Sequence, residues 1–212
     1  MNKNKTPVAF ALLLGLFVSL SQMVKAEDAP TDYRFRYSGS SIFSVPTGMC
    51  TSSAAYINDN KDSFCFISQS FGEFMEVSVL RRLSGYKKNV NSINGKFALL
   101  SEGRVIPAIS IGAADINTQL GDRIYFVAAS KTIEDFGFSM HAGVYRDPVT
   151  RDKKTFFGVE KVIFPLLTIA AERCDDVDTY GIKISPYPGM NLDIPQRDGK
   201  EEMFNLVYSR RY

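Results

Sequence analysis

MFNLVYSRRY, Met203 to Tyr212, places Phe204, Leu206, Tyr208 and, at the last position, Tyr212 at alternate residues. A period of two belongs to a β-strand, whose successive side chains point to opposite faces. Chain ends are commonly frayed and polar. An aromatic residue finishing an alternating run is the pattern of a strand that stays packed to its last residue.

The same period runs through the chain. In FMEVSVLRRL, Met75, Val77 and Val79 share a face opposite Glu76, Ser78 and Arg82. SINGKFALL sets Ile93, Gly95, Phe97 and Leu99 against Ser92, Asn94 and Lys96, and VIPAISIGA sets Val105, Ile109 and Ile111 against Ala108, Ser110 and Gly112. FGFSMHAGVY opposes Phe136, Phe138, Met140, Ala142 and Val144 to Gly137, Ser139, His141 and Gly143. Later runs oppose Phe157 and Val159 to Gly158 and Glu160, Leu167 and Ile169 to Thr168 and Glu172, and Tyr180, Ile182 and Ile184 to Gly181, Lys183 and Ser185. Punctuation such as SGYKKN, NTQLGD, RDPVTRDK and QRDGKE separates them, which reads as an antiparallel meander.

Two architectures use such a meander. A periplasmic β-sandwich turns its apolar faces inward, and a membrane barrel turns them outward into lipid. The opposite face here mixes small residues with full charges, as a lumen needs. Aromatics including Tyr125, Phe126, Tyr145, Phe156, Phe164, Tyr180 and Tyr208 fall near the ends of runs, where girdles at the two membrane interfaces would sit. The expected fold is all-β: an antiparallel up-and-down transmembrane β-barrel of about 10–12 strands, with residues Ile42–Val45 as a candidate extra element.

The start of the chain fits that destination. Two lysines in Met1–Lys5, an apolar run from Val8 to Leu20 and MVKA ending on Ala26, with Val24 two positions earlier, have the layout of a cleaved secretory signal. The organisation read from sequence is a signal over 1–26, a lead-in or plug over 27–51 and a barrel over 52–212. A net charge of +2, with no block of more than two consecutive Lys or Arg, gives no footprint for nucleic acid. No mature run approaches the ~18 apolar residues of a membrane helix.

Chemistry is sparse. His141 is the lone histidine, no CxxC occurs among Cys50, Cys65 and Cys174, and no glycine-rich phosphate loop is present, so neither a metal nor a cofactor is expected. Cys50 and Cys65 could close a short disulfide loop, or all three thiols could stand alone. Ser139 shares a face with His141, but no orienting acid or oxyanion site accompanies them, so no catalytic residue is assigned. Glu160 and Glu172 on neighbouring strands resemble a carboxylate pair, though lumen carboxylates more often meet lysines and arginines. The expected lumen lining is Glu76, Arg82, Lys96, His141, Glu160, Glu172, Lys183 and Arg211.

Two resemblances add function. The terminal set Phe204, Leu206, Tyr208 and Tyr212 resembles the closing-strand signal of bacterial outer-membrane proteins, which implies outer-membrane lipid and the barrel-assembly machinery of a Gram-negative cell as partners. SSIFSVPTGM, INGKFALLSEGRVIPAISIGAADI and IYFVAASKTIEDFGFSMHAGV, carrying Pro107, Ala108, Gly112, Ala129, Ser130 and Lys131, resemble YjbH-type outer-membrane proteins across Ser40–Val144. That resemblance implies a non-enzymatic role in exopolysaccharide or capsule export, with polysaccharide or periplasmic export components as partners. A small porin-like or structural barrel and a soluble sandwich that binds a partner are the alternatives.

Overall fold

A computed structural model describes residues 50–59, 62–85, 87–147, 149–198 and 201–211. The strands are β1 (Thr51–Asp59), β2 (Asp62–Phe71), β3 (Met75–Arg82), β4 (Asn91–Leu100), β5 (Ala108–Ala114), β6 (Ile124–Ile133), β7 (Phe138–Arg146), β8 (Lys153–Phe164), β9 (Leu167–Cys174), β10 (Val177–Tyr187), β11 (Met190–Arg197) and β12 (Glu201–Arg211). Each pairs antiparallel with its sequence neighbour, and β1 pairs with β12 to close a twelve-stranded barrel. Closure leaves no sheet edge, which is the condition for strands to span lipid. The register Tyr56↔Leu206 and Asn58↔Phe204 makes the C-terminal run the closing strand.

The faces have the polarity of a membrane barrel. Val77, Val79, Ile93, Phe97, Ile111, Val127, Phe157, Ile169, Ile182 and Ile194 are exposed, while Glu76, Arg82, Ser92, Asn94, Lys96 and Ser110 are buried. A sandwich would bury the first set. An exposed apolar belt encircling the molecule far exceeds the few hundred Å² a soluble monomer tolerates. The outer wall therefore faces hydrocarbon.

Two rims follow from the connections. The upper rim carries the longer loops 83–90, 115–123 and 147–152; the lower rim carries the turns 72–74, 134–137, 165–166 and 188–189, the loop 101–107, and both Thr51 and Arg211. Register irregularities at Ala98/Leu100, Val162/Phe164 and Ile184/Tyr187 all lie at the lower rim, where bulges commonly end barrel pairing. Two outward lysines in the belt turn their charges to this rim: Lys131 to Glu102 and the Gly103 carbonyl, Lys161 to the Phe136 carbonyl.

Several expectations need correction. Val105 and Phe136 lie outside strands: Pro107 supplies no ladder N–H before β5, and Glu134–Phe136 forms a 3₁₀ turn closed by Gly137 at φ 55°. Phe126, Tyr145 and Phe156 are inward and buried, whereas Tyr125 and Tyr180 are outward and exposed. A Cys50–Cys65 disulfide is excluded. Cys65 pairs with Tyr56, six residues along β1 from Cys50, so about 20 Å separates residues that a disulfide needs within ~7 Å. The barrel begins at Thr51, and twelve strands form without Ile42–Val45, which lies outside the described residues together with the signal, nearly all of the 27–51 segment and Tyr212.

Candidate functional site

The lumen is the site, and it has two halves. Near the upper rim, Ile57, Phe64, Phe66, Leu80, Ile124, Phe126, Tyr145, Phe156 and Val207 form a buried apolar core inside the ring. This corrects the expectation of a polar lining throughout. Glycines let the rings lie flat on the wall: a Cβ on Gly112 would stand 2.2 Å from Phe126 Cζ, and one on Gly143 2.3 Å from Phe156 Cζ. Each glycine is the direct cross-strand partner of the aromatic that covers it.

Loop 115–123 caps this core. Asp115, fully buried at φ 50°, accepts hydrogen bonds from the backbone N–H groups of Gln119 (3.0 Å), Leu120 (2.8 Å) and Gly121 (2.8 Å). Its own N–H donates to Asn94 Oδ1 (3.0 Å), and Asn94 Nδ2 reaches Ser78 Oγ (3.3 Å). The folded loop inserts Leu120 into the core, and Lys87 Nζ donates to the Leu120 carbonyl (3.2 Å). Asp147 organises loop 147–152 in the same way, accepting from Val149 and Thr150 N–H, with Lys154 bridging it to Asp175.

Charges form pairs around the polar remainder. Arg82 meets Asp62 Oδ1 through Nη2 (2.7 Å) and Nε (3.1 Å), with its guanidinium 5.6 Å from the Phe64 ring. Lys96 and Glu76, direct cross-strand partners, lie 3.2 Å apart and are buried. On the opposite wall His141 Nε2 is 2.9 Å from Glu172 Oε2, and Lys183 Nζ is 3.2 Å from Glu160 Oε2. Three buried oxygens on β10–β12, Thr179 Oγ1, Asp193 Oδ1 and Asn205 Oδ1, have no protein hydrogen-bond partner.

Seven of the eight lining residues read from sequence thus sit in these pairs; Arg211 is exposed at the lower rim opposite Thr51. Asp62, Asp115 and Asp193 were not singled out by sequence, and Phe126, Tyr145 and Phe156 read as girdle aromatics and not as lumen residues. Glu160 and Glu172 turn to different cations rather than to each other. Ser139 Oγ donates to Thr132 Oγ1 (3.4 Å), away from the His141–Glu172 pair. Among the described residues no group of three or more His, Cys, Asp or Glu could hold a metal. A concavity of about 750 Å³ lined by Phe138, Val159, Ile169, Tyr180, Ile182 and Ile194 opens on the lipid-facing side, not into the lumen.

No family model and no curated protein matches the chain. Solved structures do. A KdgM porin aligns with a TM-score of 0.53 at 6% identity, over 76% of this chain and 99% of that one. The fold is a porin-like barrel. A KdgM porin in complex with disordered oligogalacturonate aligns at 0.53 and 9% identity, over 76% of this chain and 99% of that one. A NanC porin in a rhombohedral crystal form gives 0.47 and 9%, over 77% of this chain and 99% of that one. The likeness is one of fold.

Proposed function

We propose that the chain is an outer-membrane barrel of porin-like type with a constricted lumen, admitting small hydroxyl-rich solutes and holding no wide standing channel. The observation that carries this reading is the divided lumen. An apolar core under loop 115–123 narrows the upper half, while the polar half keeps His141, Glu160 and Lys183 partly exposed, polar groups to which sugar hydroxyls can hydrogen-bond. The short lower turns and longer upper loops fit a periplasmic lower rim and an external upper rim. That a fold neighbour was solved with oligogalacturonate supports a carbohydrate as the solute class.

The test is solute entry into liposomes holding the purified barrel, with neutral and acidic sugars from one to six units. Mono- and disaccharides are expected to enter and hexamers to be refused. Entry of hexamers as fast as monomers would overturn the constriction, and entry of none would overturn the pore.

A second reading is assistance to polysaccharide export, resting on the YjbH-type resemblance. It draws on one observation: Glu102, from the Leu-Leu-x-Glu element, accepts hydrogen bonds from Lys131 Nζ (3.1 Å) and Thr132 N–H (2.7 Å), so two resembling motifs meet at the lower rim. Surface polysaccharide in a deletion strain separates the readings. Loss of it favours export, and unchanged polysaccharide with slowed sugar uptake favours the pore.

A further inference from the structure

Two lysines point outward from the lower part of the belt, and only one of them has a counter-ion. Lys131 Nζ stands 3.1 Å from Glu102 Oε1. Lys161, half-buried on β8, donates to the Phe136 carbonyl and meets no carboxylate among the described residues. A neutral carbonyl leaves the charge itself uncompensated, and an ammonium has further N–H donors to give. Ionisable groups within a bilayer ordinarily pair with an opposite charge.

Lys161 lines the lipid-facing concavity of about 750 Å³, on the side toward the lower rim, and that volume is within the range of small-molecule sites. Two cross-strand rows build it. Lys161 pairs with Ile169, Ile169 with Ile182 and Ile182 with Ile194; in the row above, Ala171 lies between Val159 and Tyr180. The methyl group of Ala171, exposed between two larger side chains, makes the hollow. A similar gap over Gly95 on β4 is filled by the protein itself, since a Cβ there would stand 3.6 Å from Ile116 Cδ1. The gap over Ala171 is open to the lipid.

We propose that this hollow holds one acyl chain of a zwitterionic aminophospholipid, with its phosphate on Lys161 and its ammonium on Glu134 or Asp135. From β8 to β11 the rows run about 14 Å at ~4.8 Å per strand spacing, close to the ~15 Å of hydrocarbon in one leaflet. The phosphate supplies the anion that Lys161 lacks, through a charge-assisted hydrogen bond. Glu134 and Asp135 precede Phe136 in the same 3₁₀ turn, are exposed, and meet no cation among the described residues. An ammonium beside two carboxylates disfavours a lipid of net negative charge and suits one that carries both signs. The apolar face of a second barrel would fill the hollow and leave Lys161 without its anion. The inference rests on the lipid-facing belt and not on the proposed solute.

The test is native mass spectrometry of the full mature chain, released from detergent after titration with dioleoyl phosphatidylethanolamine, dioleoyl phosphatidylglycerol or dioleoylglycerol. Phosphatidylethanolamine should bind about tenfold more tightly than either of the others. Lys161→Gln and, separately, Ala171→Phe should each weaken it about tenfold, whereas Val79→Phe, outward on the opposite side of the belt, should leave it unchanged. Glu134→Gln combined with Asp135→Asn should remove the preference over phosphatidylglycerol and keep that over dioleoylglycerol. Heat-modifiable migration confirms folding of each variant, and Ala171→Leu substitutes where Ala171→Phe does not fold. Dioleoylglycerol or phosphatidylglycerol binding as tightly as phosphatidylethanolamine, or unchanged binding in Lys161→Gln and Ala171→Phe, would overturn the proposal. So would a dimer that Ala171→Phe dissociates, which would assign the hollow to a second copy. Since the readout involves no transport, it stands or falls apart from the pore reading.

Discussion

The β2–β5 wall and the β7–β11 wall of the lumen use the same residue types to different ends. On the first, Glu76 and Lys96 are direct cross-strand partners, and Ser78, Asn94 and Ser92 form a buried hydrogen-bonded chain that ends on Asp115. On the second, His141–Glu172 and Lys183–Glu160 each reach past an intervening strand, with His141, Lys183 and Glu160 partly exposed and Glu172 buried. The buried Lys96–Glu76 pair is architecture, and the partly exposed groups on the second wall reach the lumen.

Substitutions that treat the walls alike should therefore give unlike results. The largest effect is expected from Lys96→Met, which removes the ammonium 3.2 Å from the buried Glu76 carboxylate and should cost ~3–5 kcal/mol, read as the urea midpoint in detergent. A loss below ~1 kcal/mol would erase the difference between the walls. Next comes a change across the barrel wall: Val79→Arg, outward in the belt, should cost ~2–4 kcal/mol in lipid. If it is tolerated, that face does not meet hydrocarbon.

Gly143→Ala should cost ~1–3 kcal/mol, because the new methyl meets both the Phe156 ring and the Val127 carbonyl. A neutral outcome would mean that the upper half of the β7–β8 wall is looser than its packing indicates. The smallest effect is expected from Glu160→Gln, ~0–1 kcal/mol, since the Lys183 it leaves is partly hydrated. The same change should alter sugar entry into liposomes. A large loss of stability would move this pair into the architectural class.

The outer face was legible in the sequence because period-two patterning survives wherever one face meets lipid. Ile93, Phe97, Ile182 and Ile184 show it directly. The filled upper lumen was not. In DSFCFISQSF, apolar residues occupy both parities, so alternation cannot distinguish inward Phe64 and Phe66 from outward Ile67. Inward Phe126, Tyr145 and Phe156 resemble girdle aromatics because both stand near strand ends.

Pairings across the ring were equally hidden. Arg82 and Asp62 are 20 residues apart, and only register brings them together. Asp115 read as one residue of a turn, since a carboxylate that folds a loop inward is indistinguishable in sequence from one that faces water. The disulfide reading failed for the same reason: fifteen residues of separation look short until a strand and its antiparallel return are laid between them.

The central claim is an apolar exterior around a lumen whose lining is buried at Ser92, Asn94 and Lys96 on β4 and half-buried at Ser139 and His141 on β7. Spin-label accessibility, residue by residue along β4 and β7 in lipid, with oxygen and a water-soluble nickel complex as relaxants, tests it most directly. Outward positions 93, 97, 140 and 144 should respond to oxygen on both strands. Inward positions 92, 94 and 96 on β4 should respond to neither reagent, and inward 139 and 141 on β7 should respond to nickel. Oxygen maxima at the inward positions, or equal nickel access to both walls, would contradict the account.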